Sequence, residues 1–250
     1  MTDQSMSDYL AIAIIALEGR FPGASDVETF WNNVCSGSCG IRRLDSDALD
    51  AVGVPGEVRS DPNFVPIAAN PADIDLFDAE FFDIGARETQ AMDPQHRLLL
   101  EVARDVLDRA GHGGSQRSAE VGAFFGLPVS QYLLHNLISQ PEVMRSLGDD
   151  YTVFGNHGSY AATRIAHRLN LCGPVMAVDT ACSSSLVTLH LACKALLNFE
   201  CDMALAGGVQ VNMPQHSGYL HTQGSFRSPD GQVRAFDAEA RGTVFASGAG

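Results

Sequence analysis

Five short apolar runs punctuate the chain: Leu10 to Leu17, Val121 to Gly126, Pro174 to Val178, Met203 to Val211 and Gly242 to Gly248. Most are near-continuous rather than alternating, the pattern of strands covered by helices on both faces. Between them, apolar residues recur every three or four positions, the period of one helical face. The best bounded helix has Asp93 as N-cap and Pro94 at its first position, and runs through Leu98, Leu99, Val102, Val106 and Leu107 toward Gly111. A second helix starts a few small residues after Val178, with Leu186, Leu189, Cys193, Leu196 and Leu197 as its predicted buried face. Residues 36–71 are rich in Gly, Pro, Asp and Ser and show little period, which predicts a polar excursion with one short helix around Ala48. Alternating strands and helices predict an α/β fold with a layered central sheet. Residues 36–80 and 127–160 are then cover layers rather than a second domain.

A chain of 250 residues, 45% of them hydrophobic, has ample material for a core. With 30 acidic against 16 basic residues the formal charge is −14, which argues against broad binding to nucleic acid or to an anionic membrane. Lys194 is the single lysine, so any basic patch is built from arginine. The run Leu10 to Leu17 is too short to span a bilayer, and Met1-Thr2-Asp3-Gln4 before it carries no positive charge of the kind that opens a signal peptide. Six cysteines in that context point to a reduced, cytoplasmic chain. Cys35 and Cys39 have an interval that suits a metal, but no second Cys/His pair follows at ligand spacing, so no metal site is expected. Gly207-Gly208 and Gly248-Ala249-Gly250 lack the Gly-Lys-Ser/Thr of a phosphate loop and read as close backbone packing; no directly bound cofactor is expected.

The chemistry concentrates at Cys182. Val175-Met176-Ala177-Val178-Asp179-Thr180-Ala181-Cys182-Ser183-Ser184-Ser185 takes an apolar strand through a small-residue turn directly into a helix pattern, which puts the thiol at a helix N-terminus. Unpaired N–H groups and the positive end of the helix dipole favour the thiolate there, and the thiolate is the nucleophile. Small neighbours would let an acyl carbonyl approach both the sulfur and a backbone N–H able to stabilise an oxyanion. This is the logic of a nucleophile elbow carried by Cys. Spacing alone also fits a buried structural cysteine.

Asp179-Thr180-Ala181-Cys182-Ser183-Ser184-Ser185-Leu186 resembles the active-site segment of the ketosynthase domains of modular type I polyketide synthases. Further segments match in family order: Arg20-Phe21-Pro22-Gly23-Ala24, Phe30-Trp31, Met92-Asp93-Pro94-Gln95-His96-Arg97, Leu169-Asn170-Leu171-Cys172-Gly173-Pro174, Ala204-Leu205-Ala206-Gly207-Gly208-Val209, and Ser228-Pro229-Asp230-Gly231 with Arg234-Ala235-Phe236-Asp237-Ala238. The resemblance implies a thiolase-like fold of α-β-α-β-α layers, of which this chain covers the first half and the cover elements. It implies residues 1–9 as an N-terminal linker and residues 10–250 as the N-terminal part of a ketosynthase domain, ending before the second half.

By the same resemblance, an acyl group moves from the 4'-phosphopantetheine thiol of an acyl carrier protein to Cys182, and a malonyl-type extender then condenses with it by decarboxylation. The family's two histidines and lysine for that second step fall outside the matching part, so condensation is expected to need the C-terminal half, in this chain or another. A homodimer is implied as well. An acyl-transfer-only ketosynthase and a non-catalytic dimer partner are the alternatives. Departures from the family pattern include Ala16, Gly85-Ala86, His157-Gly158-Ser159 and Ala246, none of which touches the cysteine segment.

Overall fold

The computed structural model describes residues 11–114 and 118–250. In chain order the helices are α1 (Val27–Ser36), α2 (Ser46–Ala51), α3 (Gly56–Arg59), α4 (Ala86–Ala91), α5 (Pro94–Arg109), α6 (Pro141–Leu147), α7 (Asp149–Asn156), α8 (Gly158–Arg168) and α9 (Ser184–Leu197). The strands are β1 (Arg42–Arg43), β2 (Phe64–Val65), β3 (Ile67–Ala68), β4 (Val121–Gly126), β5 (Val175–Val178), β6 (Met203–Gln210), β7 (Tyr219–Leu220) and β8 (Gly248–Ala249). A π-helical turn spans Leu133–Leu137 and a 3-10 turn spans Ala181–Ser183. Two units result: residues 11–18, 75–209 and 249–250 make the first, residues 19–74 and 210–248 the second.

The first unit is built on a four-stranded sheet of order β5-β4-β6-β8, with β4 parallel to both β5 and β6. Gly208 and Gly250 exchange N–H···O bonds of 2.8 and 3.1 Å, which fastens β8 to β6. Every residue of β4 is buried, as its continuous apolar run predicts for a strand covered on both faces. Helix α9 packs on β4, and α8 packs on β5 and β4. Helix α5 starts where the sequence places it: the buried Asp93 carboxylate accepts from Gln95 N at 2.8 Å, and Pro94 stands at the first position.

Helix α9 corrects one expectation. Its buried residues are Thr188, Ala192 and Ala195, whereas Leu186 is 71% exposed and Leu189 and Leu197 also face outward. Close approach to the sheet explains the inversion. A Cβ on Gly126 would stand 2.7 Å from Ser184 Cβ, and Thr188 Oγ1 lies 3.1 Å from Gly207 O, so the sheet side of the helix has room only for small residues.

In the second unit β1 pairs with β3 and β2 with β7, both antiparallel, around a small core of Leu44, Leu49, Val54 and Ala68. Helix α1 is capped by Asp26, which accepts from Thr29 N at 2.7 Å, and ends at Gly37 in the left-handed conformation. The stretch 36–71 therefore holds two short helices and three strands besides loop. Strands of two residues carry no readable period, which is why the sequence shows only the helix around Ala48.

Two of the five expected strands also differ. Leu10 lies outside the described residues, and residues 11–17 form no strand, with Ile14, Ile15 and Leu17 exposed. An apolar run becomes a strand only where a neighbour supplies ladder partners. Of residues 242–248, only Gly248 enters a strand, while Thr243 makes an isolated bridge to Arg227. Among the described residues no helix is long and apolar enough to cross a membrane.

Candidate active site

Strand β5 stops at Val178 and the chain turns within a few residues into α9. Ala181, the residue before Cys182, has φ of 54°, a left-handed conformation that costs an L-residue with a Cβ about 1–2 kcal/mol. Short polar side chains hold it there. Asp179 Oδ1 accepts from Ala181 N at 3.0 Å, closing an Asx turn. Thr180 N donates to Ser184 Oγ at 2.9 Å, and that hydroxyl donates to Ala181 O at 2.8 Å. Ser183 Oγ donates to Thr180 O at 2.8 Å and lies 3.0 Å from Thr180 Oγ1. The small-residue run that reads as a turn is thus a braced one, and Asp179, Thr180, Ser183 and Ser184 are its supports.

Cys182 is exposed at the crest of this turn. Helix α9 starts without a side-chain cap hydrogen bond, and the turn before it pairs Ser183 N with Thr180 O and Ser184 N with Ala181 O. The positive end of the α9 dipole therefore lies beside the thiol. Exposure alone does not distinguish it, because Cys35, Cys39 and Cys172 are exposed too. The elbow does. Cys201 is buried, and burial pushes its thiol up. Among the described residues no three His, Cys, Asp or Glu side chains cluster as a metal site.

Next to the elbow the first unit contains a cavity of about 540 Å³. Its walls are mainly apolar, including Leu127, Leu133, Val153 and Ala177, and Asp179 of the turn also lines it. Its polar lining is fixed from behind. Ser130 Oγ donates to Asn156 Oδ1 at 2.9 Å, while Asn156 Nδ2 donates to Ala91 O at 2.9 Å and to Thr152 O at 2.8 Å. These bonds tie α7 to the end of α4, a framework no pattern in the sequence marks.

His96, read from the sequence as a surface or structural residue, is structural: it is 2% exposed. Arg164 Nη1 lies 3.1 Å from its Nδ1, and a guanidinium can only donate, so Nδ1 accepts and the proton sits on Nε2. Burial first, then the charge of Arg164, pulls its pKa down to about 3. Burial likewise pushes the neighbouring Asp93 carboxyl up, against its hydrogen bonds from Gln95.

The whole described chain matches a known family. The model of the β-ketoacyl synthase N-terminal domain covers residues 10–250. The chain is 44% identical over 246 residues to one of the proteins that make up the phenolphthiocerol/phthiocerol polyketide synthase of Mycobacterium tuberculosis, covering 96% of this chain and 16% of that protein. Among solved structures, ketosynthase twelve of the bacillaene polyketide synthase of Bacillus amyloliquefaciens superposes with a TM-score of 0.77 at 30% identity, over 95% of this chain and 41% of that one. The ketosynthase from module 6 of the bacillaene synthase of Bacillus subtilis 168 gives 0.73 at 35% identity, over 95% and 38%. The chain thus spans about a sixth of the curated relative's length and about two fifths of each ketosynthase structure. By this match the chain belongs to the β-ketoacyl synthase N-terminal domain family, on its type I polyketide synthase ketosynthase branch, and has the first part of the thiolase-like fold.

Proposed function

We propose that the chain is the nucleophile-bearing part of a polyketide ketosynthase, an acyltransferase in which Cys182 accepts the acyl group. The observation that carries this reading is the braced elbow: an exposed thiol on a hydrogen-bonded turn, directly before a helix that starts without a side-chain cap. Cys182 Sγ attacks the thioester carbonyl of a substrate carried on the 4'-phosphopantetheine of an acyl carrier protein. The carrier thiolate leaves and takes up the proton the cysteine gives, so the acyl group is held on Cys182. The oxyanion formed on the way is met by the Cys182 N–H. An apolar chain on that acyl group finds room in the cavity beside Asp179. A malonyl-type extender then loses carbon dioxide, its α-carbon attacks the acyl carbonyl, and the Cys182 thiolate departs. Splitting the condensation in this way exchanges one difficult step for two easier ones. Residues that stabilise the extender carbanion are expected outside residues 10–250, in the second half of the domain.

The pairing surface fits a homodimer. Strand β5 stands at the end of the sheet order, and Met176 in its middle is 45% exposed. A two-fold partner laid along that strand would close an otherwise open edge. Six free cysteines suit a reducing compartment.

Incubation with an acyl thioester followed by peptide mass spectrometry tests the assignment: the label should sit on Cys182 and vanish in Cys182→Ala. Labelling of Cys35, Cys39 or Cys172 with Cys182 untouched would overturn it. Addition of malonyl carrier protein should give a β-ketoacyl product only when the second half of the domain is present with the loaded chain; loading without product in that complete domain would identify an acyl-transfer-only ketosynthase.

A further inference from the structure

Ser184, the first residue of α9, ties together two peptide groups of the turn before it through a single hydroxyl. Its Oγ accepts from Thr180 N at 2.9 Å, since an amide N–H can only donate. Its one hydrogen goes to Ala181 O at 2.8 Å, since a carbonyl can only accept. Ala181 O also receives the Ser184 backbone N–H. Two donors from one residue therefore fix that carbonyl, on an alanine whose φ of 54° is strained. Ser184 has no room to retreat. Strand β4 runs so close behind it that a Cβ on Gly126 would stand 2.7 Å from Ser184 Cβ and 3.3 Å from its carbonyl carbon.

The carbonyl so held belongs to the same peptide group as the Cys182 N–H. That peptide is trans and planar, so its N–H points opposite to its C=O. Whatever aims Ala181 O thereby aims the Cys182 N–H, the group that meets the oxyanion in the loading step proposed above. An unbraced peptide can swing about its two flanking bonds with little change in the path of the chain. Such a swing would carry the N–H away and leave the sulfur exposed. Ser183 is a different kind of support, because its hydroxyl goes to Thr180 O and Thr180 Oγ1 instead.

We propose that Ser184 is the positioning residue of the oxyanion site: by pinning Ala181 O, its hydroxyl sets the direction of the Cys182 N–H. This rests on the reading of Cys182 given above, and it separates two demands on the elbow. Attack on a thioester forms the S–C bond while the carbonyl π pair moves onto oxygen; collapse returns that pair and expels the donor thiolate. An N–H must stand where the charge grows. Alkylation by iodoacetamide forms an S–C bond as iodide leaves with the pair of the C–I bond, and no oxygen gains charge. The first reaction needs the aimed N–H, whereas the second needs only the sulfur.

The test compares these two reactions at Cys182 in the wild type, Ser184→Ala and Ser184→Thr, with the second half of the domain present and an acyl N-acetylcysteamine thioester as donor. Ser184→Ala keeps the Cβ that faces Gly126 and removes only the hydroxyl. Its limiting rate of loading should fall by about 10–100-fold, with the half-saturating donor concentration and the rate of iodoacetamide labelling little changed. Ser184→Thr keeps a hydroxyl and should recover most of the loading rate. An equal slowing of loading and alkylation in Ser184→Ala would mean that the hydroxyl merely holds the turn together, and overturns the proposal. Ser184→Thr that alkylates at the wild-type rate yet loads no faster than Ser184→Ala overturns it too. If the wild type loads at Cys182 and Ser184→Ala loads equally fast, the reading of Cys182 stands and the role of Ser184 falls. If the wild type does not load at Cys182, that reading fails and the proposal falls with it.

Discussion

Protonation of His96 should unfold the first unit's framework from within. In the folded chain its pKa is about 3, against an ordinary value of 6.5, because the ring is buried and its Nδ1 faces the Arg164 guanidinium. Below pH 6.5 the unfolded chain binds a proton that the folded chain refuses, so acid favours unfolding, and the stability this residue contributes is lost as pH falls from 6.5 toward 3. The slope is about 1.4 kcal/mol per pH unit once the unfolded ring is protonated, so at pH 5 the loss is about 2 kcal/mol. His96→Gln provides the reference, since its side-chain carbonyl can still accept from Arg164 and it does not titrate. Asp93, whose raised pKa acts with the opposite sign as pH rises, is present in both proteins and cancels in the difference. Urea denaturation of the two proteins at pH 7.5, 6, 5 and 4 gives that difference. The wild type should lose ground to the variant progressively below pH 6.5. Parallel curves across the series would mean that His96 is not excluded from protonation, and the buried arginine–histidine contact would have to be redrawn.

Gly126→Ala should push Ser184 outward, because the added Cβ would stand 2.7 Å from Ser184 Cβ; a stability loss of about 1–3 kcal/mol and slower thioester labelling of Cys182 are expected, read by denaturation and mass spectrometry. Thr188→Val removes the hydroxyl bonded to Ser185 O and Gly207 O and should destabilise by about 1–2 kcal/mol, with Cys182 labelling retained. Met176→Arg places a charge in the middle of β5; light scattering should give a dimer for the wild type, as proposed, and a monomer for the variant, and an unchanged dimer would remove β5 from the interface.

The parts of the fold that could be read from the residues are those whose signals are local. Asp93-Pro94 marks the start of α5 because an N-cap and a first-turn proline act within one turn. Val121–Gly126 is legible because a strand buried on both faces needs no polar position. The turn at Cys182 shows as a change of period between Val178 and Leu186. Features that depend on distant partners did not show. The leucines of α9 look like a core face, yet the glycines of β4 and β6 assign that place to Thr188 and the alanines. The run ending at Leu17 has strand composition without a ladder. His96 and Arg164 are 68 positions apart in sequence, so neither could announce the other.

Ala181 carries a consequence for any effort to make this domain more robust. Glycine at that position would adopt the same backbone at no steric cost, and a screen for thermal tolerance will therefore favour Ala181→Gly. The same replacement widens the range of conformations open to the turn, since glycine occupies either side of the backbone map with equal ease. Selection for heat resistance and selection for turnover should then pull this one residue in opposite directions.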